Sequence, residues 1–293
     1  MISGASNAAR HAGETMTSGE FALAHDDFRR ISKMLYDDSG INLTEGKVAL
    51  VYARLAKRLR ALKMQAFRDY CDLLASPGGE AERGEMLTSL TTNVTKFFRE
   101  PHHFEHLTTH VLRPARATRR TRLRLWSAAC STGQEAYSLA ITLLSFWPEA
   151  ASGDVKILAT DIDRNVIATA EAAAYDEGQL EGVSPERRRK FFEPAGEGKL
   201  RLVESVRRLV SFRRLNLLEN WPMQGQFEAI FCRNVVIYFD EPTQQRLWQK
   251  FVPRLAPQGA LYIGHSERVT GAACANLQGD GVSTYRLSGA RAQ

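Results

Sequence analysis

From about residue 120 onward, short runs of β-forming residues alternate with helical stretches, and few folds accommodate that alternation. The runs are Leu123–Ala129, Val155–Thr160, Leu209–Arg214, Phe227–Cys232 and Ala260–Gly264, with helical patterns over Gln134–Phe146, Arg164–Ala173 and Thr243–Leu255 following several of them. A parallel sheet with helices on both faces is the architecture this order requires, and the predicted class is a doubly wound α/β domain. A last β-like run, Ser283–Leu287, closes the pattern. The stretch from about 178 to 206 is polar, contains glycine and carries Arg187-Arg188-Arg189-Lys190, so it reads as an insertion. Residues 21–90 are helical in texture. Phe21, Phe28, Ile31 and Leu35 suggest one helix, and Val48, Tyr52, Leu55, Leu59 and Leu62 form a seam of four- and three-residue steps on a second. Ser39-Gly40 separates the two, and Ser76-Pro77-Gly78-Gly79 breaks the pattern. Residues 1–20 are rich in Gly, Ser, Ala and Thr without periodicity and are expected to form a tail.

Charge narrows the choice of partner only partly. Thirty-nine Lys+Arg against 33 Asp+Glu leave +6, which suits either an acidic partner or nucleic acid. The basic residues concentrate at 47–63, at Arg113–Arg124 and at Arg187–Lys190. On the second helix Lys47, Arg54 and Arg58 share a face with Lys57 beside them, and no acidic residue interrupts 46–68. That face is either solvated surface or a docking stripe. No apolar run reaches about 18 residues and the start lacks a secretory signal, so a cytoplasmic chain without membrane insertion is expected. Cys71, Cys130, Cys232 and Cys274 lie far apart, which predicts neither a metal site nor a disulfide framework.

The chemistry is expected at the carboxyl ends of the strands. Leu123–Ala129 runs into Cys130-Ser131-Thr132-Gly133 and then a helix, the turn that places a ligand against backbone N–H groups in this class of sheet. One glycine is too few for a dinucleotide fingerprint, and no G-x-x-x-x-G-K-[ST] occurs, so the predicted cofactor is nucleoside-like without a triphosphate. Asp161, at the end of the second run, suits either a ribose diol or a helix N-cap, and Asp163 is the better N-cap candidate. Glu135, opening the next helix, either binds a ligand ammonium or complements the helix dipole, and position alone favours the dipole. Leu90–Glu100 combines a polar run with Phe97, Phe98 and Arg99, an unusual content for a solvated linker. Arg233, Asn234 and Tyr238 bunch at the end of Phe227–Cys232.

Five stretches together carry a family resemblance: 91–100 (TTNVTKFFRE), 127–138 (SAACSTGQEAYS), 159–163 (ATDID), 231–240 (FCRNVVIYFD) and 264–267 (GHSE). In this order they resemble the signature stretches of the chemotaxis receptor methyltransferases, the CheR family. The resemblance implies a class I S-adenosyl-L-methionine-dependent methyltransferase: an all-α N-terminal domain over 21–90, and a Rossmann-like catalytic domain over 91–293 with a small antiparallel β-subdomain inserted at about 178–206. It implies that Asp161 holds the ribose, Glu135 the methionine ammonium, Asn93, Thr95 and Arg99 the methionyl end, Asn216 and Leu217 the adenine, and Arg233 and Asn234 the pocket wall. The implied reaction esterifies glutamate side chains on chemoreceptors and releases S-adenosyl-L-homocysteine, with Arg99 and Tyr238 orienting the acceptor carboxylate.

The same resemblance implies a helical receptor domain as partner, with Lys47, Arg54, Lys57 and Arg58 as docking residues, recruitment to receptor arrays, and, as in part of the family, a receptor C-terminal peptide as a further candidate ligand of the β-subdomain. Two rivals remain. Base-amino methyltransferases usually carry Asn/Asp-Pro-Pro-Tyr/Phe where this chain has Arg-Asn-Val-Val at 233–236, which disfavours nucleic acid. A non-enzymatic sensor of the cofactor would have no need of Arg99 and Tyr238.

Overall fold

The computed structural model describes residues 15–17 and 19–288. Two compact units emerge: residues up to Thr92 together with Tyr238–Asp240, and Asn93–Ile237 together with the rest of the C-terminal part. Most of the expected tail, 1–14 and 18, lies outside the described residues. Thr15–Thr17 (β1) pairs antiparallel with Leu23–Ala24 (β2), so ordered structure begins before Phe21.

The first unit contains α1 (His25–Ser39), α2 (Val48–Ala61), α3 (Phe67–Ala75) and α4 (Glu80–Leu90). Helix α1 starts at His25 rather than at Phe21, buries Phe28, Ile31 and Leu35, and ends at Gly40, whose φ of 74° is the left-handed cap that glycine supplies without strain. Helix α2 buries Val48, Val51, Leu55, Ala56 and Leu59, whereas Leu62 beyond its end is exposed.

The expected docking stripe divides. Arg58 forms a two-pronged pair with Glu82 of α4, at 2.9 and 2.6 Å, and that carboxylate also accepts the Tyr70 hydroxyl at 2.9 Å. Arg54 donates to the carbonyls of Ser89, Leu90 and Thr91, satisfying the open C-terminus of α4. Both guanidinium groups are engaged inside the helical unit. The acid and the carbonyls that absorb them come from α4 and its end, where a one-helix reading cannot see them. Lys47 and Lys57 are exposed.

In the second unit, α5 (His102–Leu107) and α6 (Arg113–Ala117) precede a seven-stranded sheet. In chain order its members and neighbours are β3 (Arg122–Ala128), α7 (Gln134–Phe146), β4 (Asp154–Asp161), α8 (Arg164–Ala172), the insertion, β8 (Val210–Arg214), β9 (Phe227–Cys232), α11 (Glu241–Phe251), β10 (Leu255–Ile263), β11 (Leu277–Gly281) and β12 (Thr284–Leu287). The spatial order is β11-β12-β10-β9-β3-β4-β8. Strands β10, β9, β3, β4 and β8 run parallel, and β12 and β11 complete the sheet antiparallel. The chain steps from β3 outward to β4 and β8, then returns to β9 on the other side of β3. Ligands bind at such a switch point, outside the carboxyl ends of the strands.

Alternation along β3 builds both faces: Leu123 and Leu125 join the core beneath α7, while Trp126 contacts Trp221, Phe227 and Phe251 on the opposite face. The insertion is a three-stranded antiparallel sheet of β5 (Ala174–Asp176), β6 (Phe192–Pro194) and β7 (Lys199–Leu202), ordered β5-β7-β6, with α9 (Pro185–Phe191) between its strands and α10 (Glu204–Arg207) after them. Much of the second basic cluster is also paired: Arg116 with Glu149, Arg120 with Glu228 and Arg124 with Asp154. Among the described residues, no helix is long and apolar enough to cross a membrane.

Arg58→Ala should destabilise the helical unit by about 2–3 kcal/mol, because it strands the buried Glu82 carboxylate, whereas Lys57→Ala should stay within about 0.5 kcal/mol. Urea unfolding followed by circular dichroism measures both; equal effects would show that Arg58 is surface charge after all.

Candidate active site

The turn after β3 is wound tightly. Ala129, Ser131 and Gly133 have φ of 68°, 49° and 94°, three left-handed residues within five positions. Only Gly133 is free of a side-chain penalty there, and a Cβ on it would lie 2.9 Å from the Ala170 Cβ. The turn is held by the end of β4: the Ser131 N–H donates to Asp161 Oδ2 at 2.8 Å, and the Asp163 N–H donates to Asp161 Oδ1 at 3.0 Å. Asp163 is the N-cap of α8, accepting the Asn165 N–H at 2.8 Å. Asp161 is therefore not the cap, and each of its oxygens keeps a lone pair for a further donor. Burial drives its carboxyl above the ordinary range against the pull of the Asp163 and Ser131 amides.

The segment 93–100 is tied to the same edge. The Ser131 hydroxyl donates to the Asn93 carbonyl at 3.0 Å, and Asn93 Nδ2 donates to Asp163 Oδ2 at 3.2 Å. Arg99 donates from Nη1 to the Val94 carbonyl at 3.2 Å, its Nε lies 4.0 Å from Glu100 Oε1, and among the described residues its guanidinium makes no other hydrogen bond. Thr95 is half-buried.

At the centre lies Arg233, just past β9, with 2% of its side chain exposed. Its Nη1 meets Glu135 at 3.2 Å, and its Nη2 meets Glu100 at 3.4 Å and the Arg99 carbonyl at 2.6 Å. Glu135 also accepts the Ser127 hydroxyl at 2.7 Å. Burial raises the Glu135 carboxyl, with Arg233 and Ser127 opposing. At Glu100 burial pushes the same way, but Arg233, His265 and His103 together outweigh it and hold the group low. His103, fully buried, is pushed down to about 3 by burial and by the Arg233 and His102 charges.

The wall beside Arg233 is built on a fourth acid. Glu267 accepts the backbone N–H groups of Gly264, Asn234, Val235 and Val236 at 2.6–3.0 Å. A Cβ at Gly264 would overlap Asn234, whose own φ is 60°. Burial raises the Glu267 carboxyl, and the four amides restrain the rise.

Following β8, the Leu215 N–H donates to the Asp161 carbonyl at 2.9 Å, which sets Asn216 and Leu217 beside that strand end. Asn216 Oδ1 accepts the Leu218 N–H at 3.0 Å, and Leu217 is buried.

The structure thus brings Asn93, Arg99, Glu135, Asp161, Asn216, Leu217, Arg233 and Asn234 to the carboxyl edge of one sheet. Tyr238 falls in the helical unit: its carbonyl accepts the Asn42 N–H at 2.8 Å and its hydroxyl points to the Thr92 carbonyl at 3.5 Å. Sequence reasoning gave no role to Glu100, His103 or Glu267. The first and last stand within quoted motifs, but nothing in their spacing reveals the guanidinium or the four amides they serve. Glu100, His102 and His103 also offer metal-type donors within 4.8 Å of one another. Arg233 lies 3.4 Å from Glu100 Oε2, and its positive charge opposes a cation there.

The donor set suits one kind of cofactor. Asp161 and Glu135 accept hydroxyl or ammonium protons, the buried cation Arg233 is already balanced by carboxylates, and no phosphate cradle is present among the described residues. That pattern fits the ribose, ammonium and sulfonium of S-adenosylmethionine, and unmet polar capacity remains at the buried Arg233 Nε and Glu100 Oε2. With the doubly wound sheet, it defines a class I S-adenosylmethionine-dependent methyltransferase.

Residues 93–278 match the CheR methyltransferase SAM binding domain, and residues 26–91 match the CheR methyltransferase all-alpha domain. The chain is 54% identical over 260 residues to a probable chemotaxis protein methyltransferase of Rhizobium etli, spanning 87% of this chain and 97% of that protein. It is 45% identical over 256 residues to chemotaxis protein methyltransferase 2 of Pseudomonas aeruginosa, spanning 85% and 88%, and 42% identical over 250 residues to the chemotaxis protein methyltransferase of Escherichia coli K12, spanning 84% and 85%. The chain belongs to the CheR methyltransferase family.

His103 should remain neutral from pH 8 down to pH 5. Its unfolded counterpart takes up a proton near pH 6.5, so its contribution to stability is complete above that pH and is lost as the solution is acidified toward pH 3. Imidazole NMR checks this directly: a His103 resonance titrating near 6.5 would contradict the buried arrangement.

Proposed function

We propose that this S-adenosylmethionine-dependent enzyme methylates glutamate side-chain carboxylates in the helical cytoplasmic region of a chemoreceptor, giving a glutamyl methyl ester. The observation that carries the proposal is Arg99, a guanidinium with uncommitted donors on a loop bonded to the same strand ends as Asp161. A glutamate is already ionised at neutral pH, so esterification needs no general base. When bound, S-adenosylmethionine supplies a sulfonium methyl group as electrophile.

The chain's own groups orient the acceptor. Arg99 donates to the carboxylate oxygen that does not attack, since a tight bond to the attacking oxygen would damp its nucleophilicity. Tyr238 is the second orienting donor. Asp161 accepts from the ribose hydroxyls, Glu135 from the ammonium, Asn93 and Thr95 bind the methionyl end together with Arg99, and Asn216 and Leu217 take the adenine. Arg233 and Asn234 form the wall, Arg233 acting by holding Glu135 and the Arg99 carbonyl in place.

The exposed Lys47 and Lys57 are the residues of the basic stripe that remain available to an acidic receptor helix. The sheet β5-β7-β6 is the surface assigned to a receptor C-terminal peptide, and its outer strands offer edges for strand addition. Such contacts would recruit the enzyme to receptor arrays from the cytoplasm.

With methyl-labelled cofactor and receptor-containing membranes, the label should appear on a membrane protein and be released by mild alkali, as an ester requires. Alkali-stable label would overturn the carboxylate as acceptor. Arg99→Ala should lower turnover at least about a hundredfold with an unchanged circular dichroism spectrum; near-native turnover would remove Arg99 from the mechanism.

A further inference from the structure

The inserted subdomain grips the loop that carries Arg99. The Phe97 ring stands edge-on to Tyr175 of β5, with centroids 5.1 Å apart, and to Phe192 of β6 at 5.8 Å. Gly182 lies so close beneath the Phe97 carbonyl that any Cβ there would overlap its oxygen. From α9, the Arg187 guanidinium stacks on the Phe98 ring at 4.3 Å from the centroid. Among the described residues that guanidinium has no carboxylate partner, unlike Arg233.

Phe98 needs such support. Its φ is 53° and that of Glu100 is 57°, conformations that side-chain-bearing residues keep only when their surroundings enforce them. Three contacts enforce Phe98: its N–H donates to the Ser138 hydroxyl at 2.9 Å, its ring meets Phe104 edge-on at 5.4 Å, and Arg187 covers it. Arg99 is the next residue in the chain.

The run 187–190, which in sequence looks like one block of docking charge, is therefore divided. Arg188 donates to the Leu180 and Val183 carbonyls, Lys190 lies over Phe191, Arg189 is exposed, and Arg187 turns to the loop.

We propose that Arg187 is a positioning residue for methyl transfer: through its stacking on Phe98, the inserted subdomain fixes the strained backbone from which Arg99 reaches the acceptor carboxylate. The proposal rests on the role of Arg99 given above. It makes the insertion part of the scaffold of catalysis and separates Arg187 from the cofactor residues Asp161 and Glu135, which are held by other elements. Loss of the stacking cation loosens the loop while leaving the cofactor's carboxylates in place.

The test uses the full chain, methyl-labelled cofactor and a receptor cytoplasmic fragment, with S-adenosylhomocysteine affinity measured by calorimetry. Arg187→Ala and Arg187→Gln should lower kcat by about three- to thirtyfold, with S-adenosylhomocysteine affinity falling by a smaller factor and an unaltered circular dichroism spectrum. Arg187→Lys, which keeps a cation over the ring, should recover most of kcat. On an Arg99→Ala background, Arg187→Ala should cause no further loss, because both act through one group. Native kcat in Arg187→Gln, or a full additional loss in the double variant, overturns the positioning role alone. Native turnover in the single Arg99→Ala variant overturns the reading of Arg99 and this inference with it.

Discussion

The guanidinium of Arg233 is buried between Glu135 and Glu100 and bonded to the carbonyl of Arg99. A charge so enclosed is tolerable only when paired and hydrogen-bonded, so the two segments that supply its partners must fold onto it together. Those segments are the start of α7 and the loop 93–100, whose Glu135 and Arg99 lie 98 and 134 residues from Arg233 in the chain. Two carboxylates against one guanidinium leave an excess negative charge. A cationic cofactor bearing an ammonium and a sulfonium is the natural complement to that excess, and a phosphate-bearing one is not.

Around this centre the carboxyl edge of the sheet is arranged by backbone groups. Asp161 is oriented by the amides of Ser131 and Asp163, and Glu267 by four amides that fold the segment after β9 around it. Left-handed residues recur at this edge, at Phe98, Glu100, Ala129, Ser131 and Asn234. Each costs conformational energy; Phe98 is held by Ser138, Phe104 and Arg187, Ser131 by Asp161 and Asn234 by Glu267. The strain and the buried ion pairs thus support one another, and the loop bearing Arg99 inherits its geometry from both.

Much of this was legible in the sequence. The bounds of α7 and β9 match the expected Gln134–Phe146 and Phe227–Cys232, because apolar periodicity was strong there and Gly133 marked the turn. Strand β11 was missed since Gln278-Gly279-Asp280-Gly281 has no apolar alternation, and its pairing with β12, to which the Asp280–Arg286 ion pair adds, shows only in the fold. The insertion's strands, three or four residues each, are too short to show a period, and they begin at Ala174, before the irregular stretch. Motifs gave the site's residue types but not their relations. Arg233 was expected in the pocket wall; that it binds Glu100 and Glu135 depends on tertiary folding. The same limit applies to α2, where the partners of Arg54 and Arg58, Glu82 and a row of open carbonyls, come from α4 and its end.

The most direct test of this account is calorimetric titration of S-adenosylhomocysteine into Arg233→Gln, which removes the central charge at nearly constant volume. With Glu100 and Glu135 left facing each other without a cation, affinity should fall by about two orders of magnitude, and the unfolding midpoint of the sheet-bearing unit should drop. Affinity within about twofold of the native protein, with the midpoint unchanged, would contradict the claim that the site is organised around Arg233.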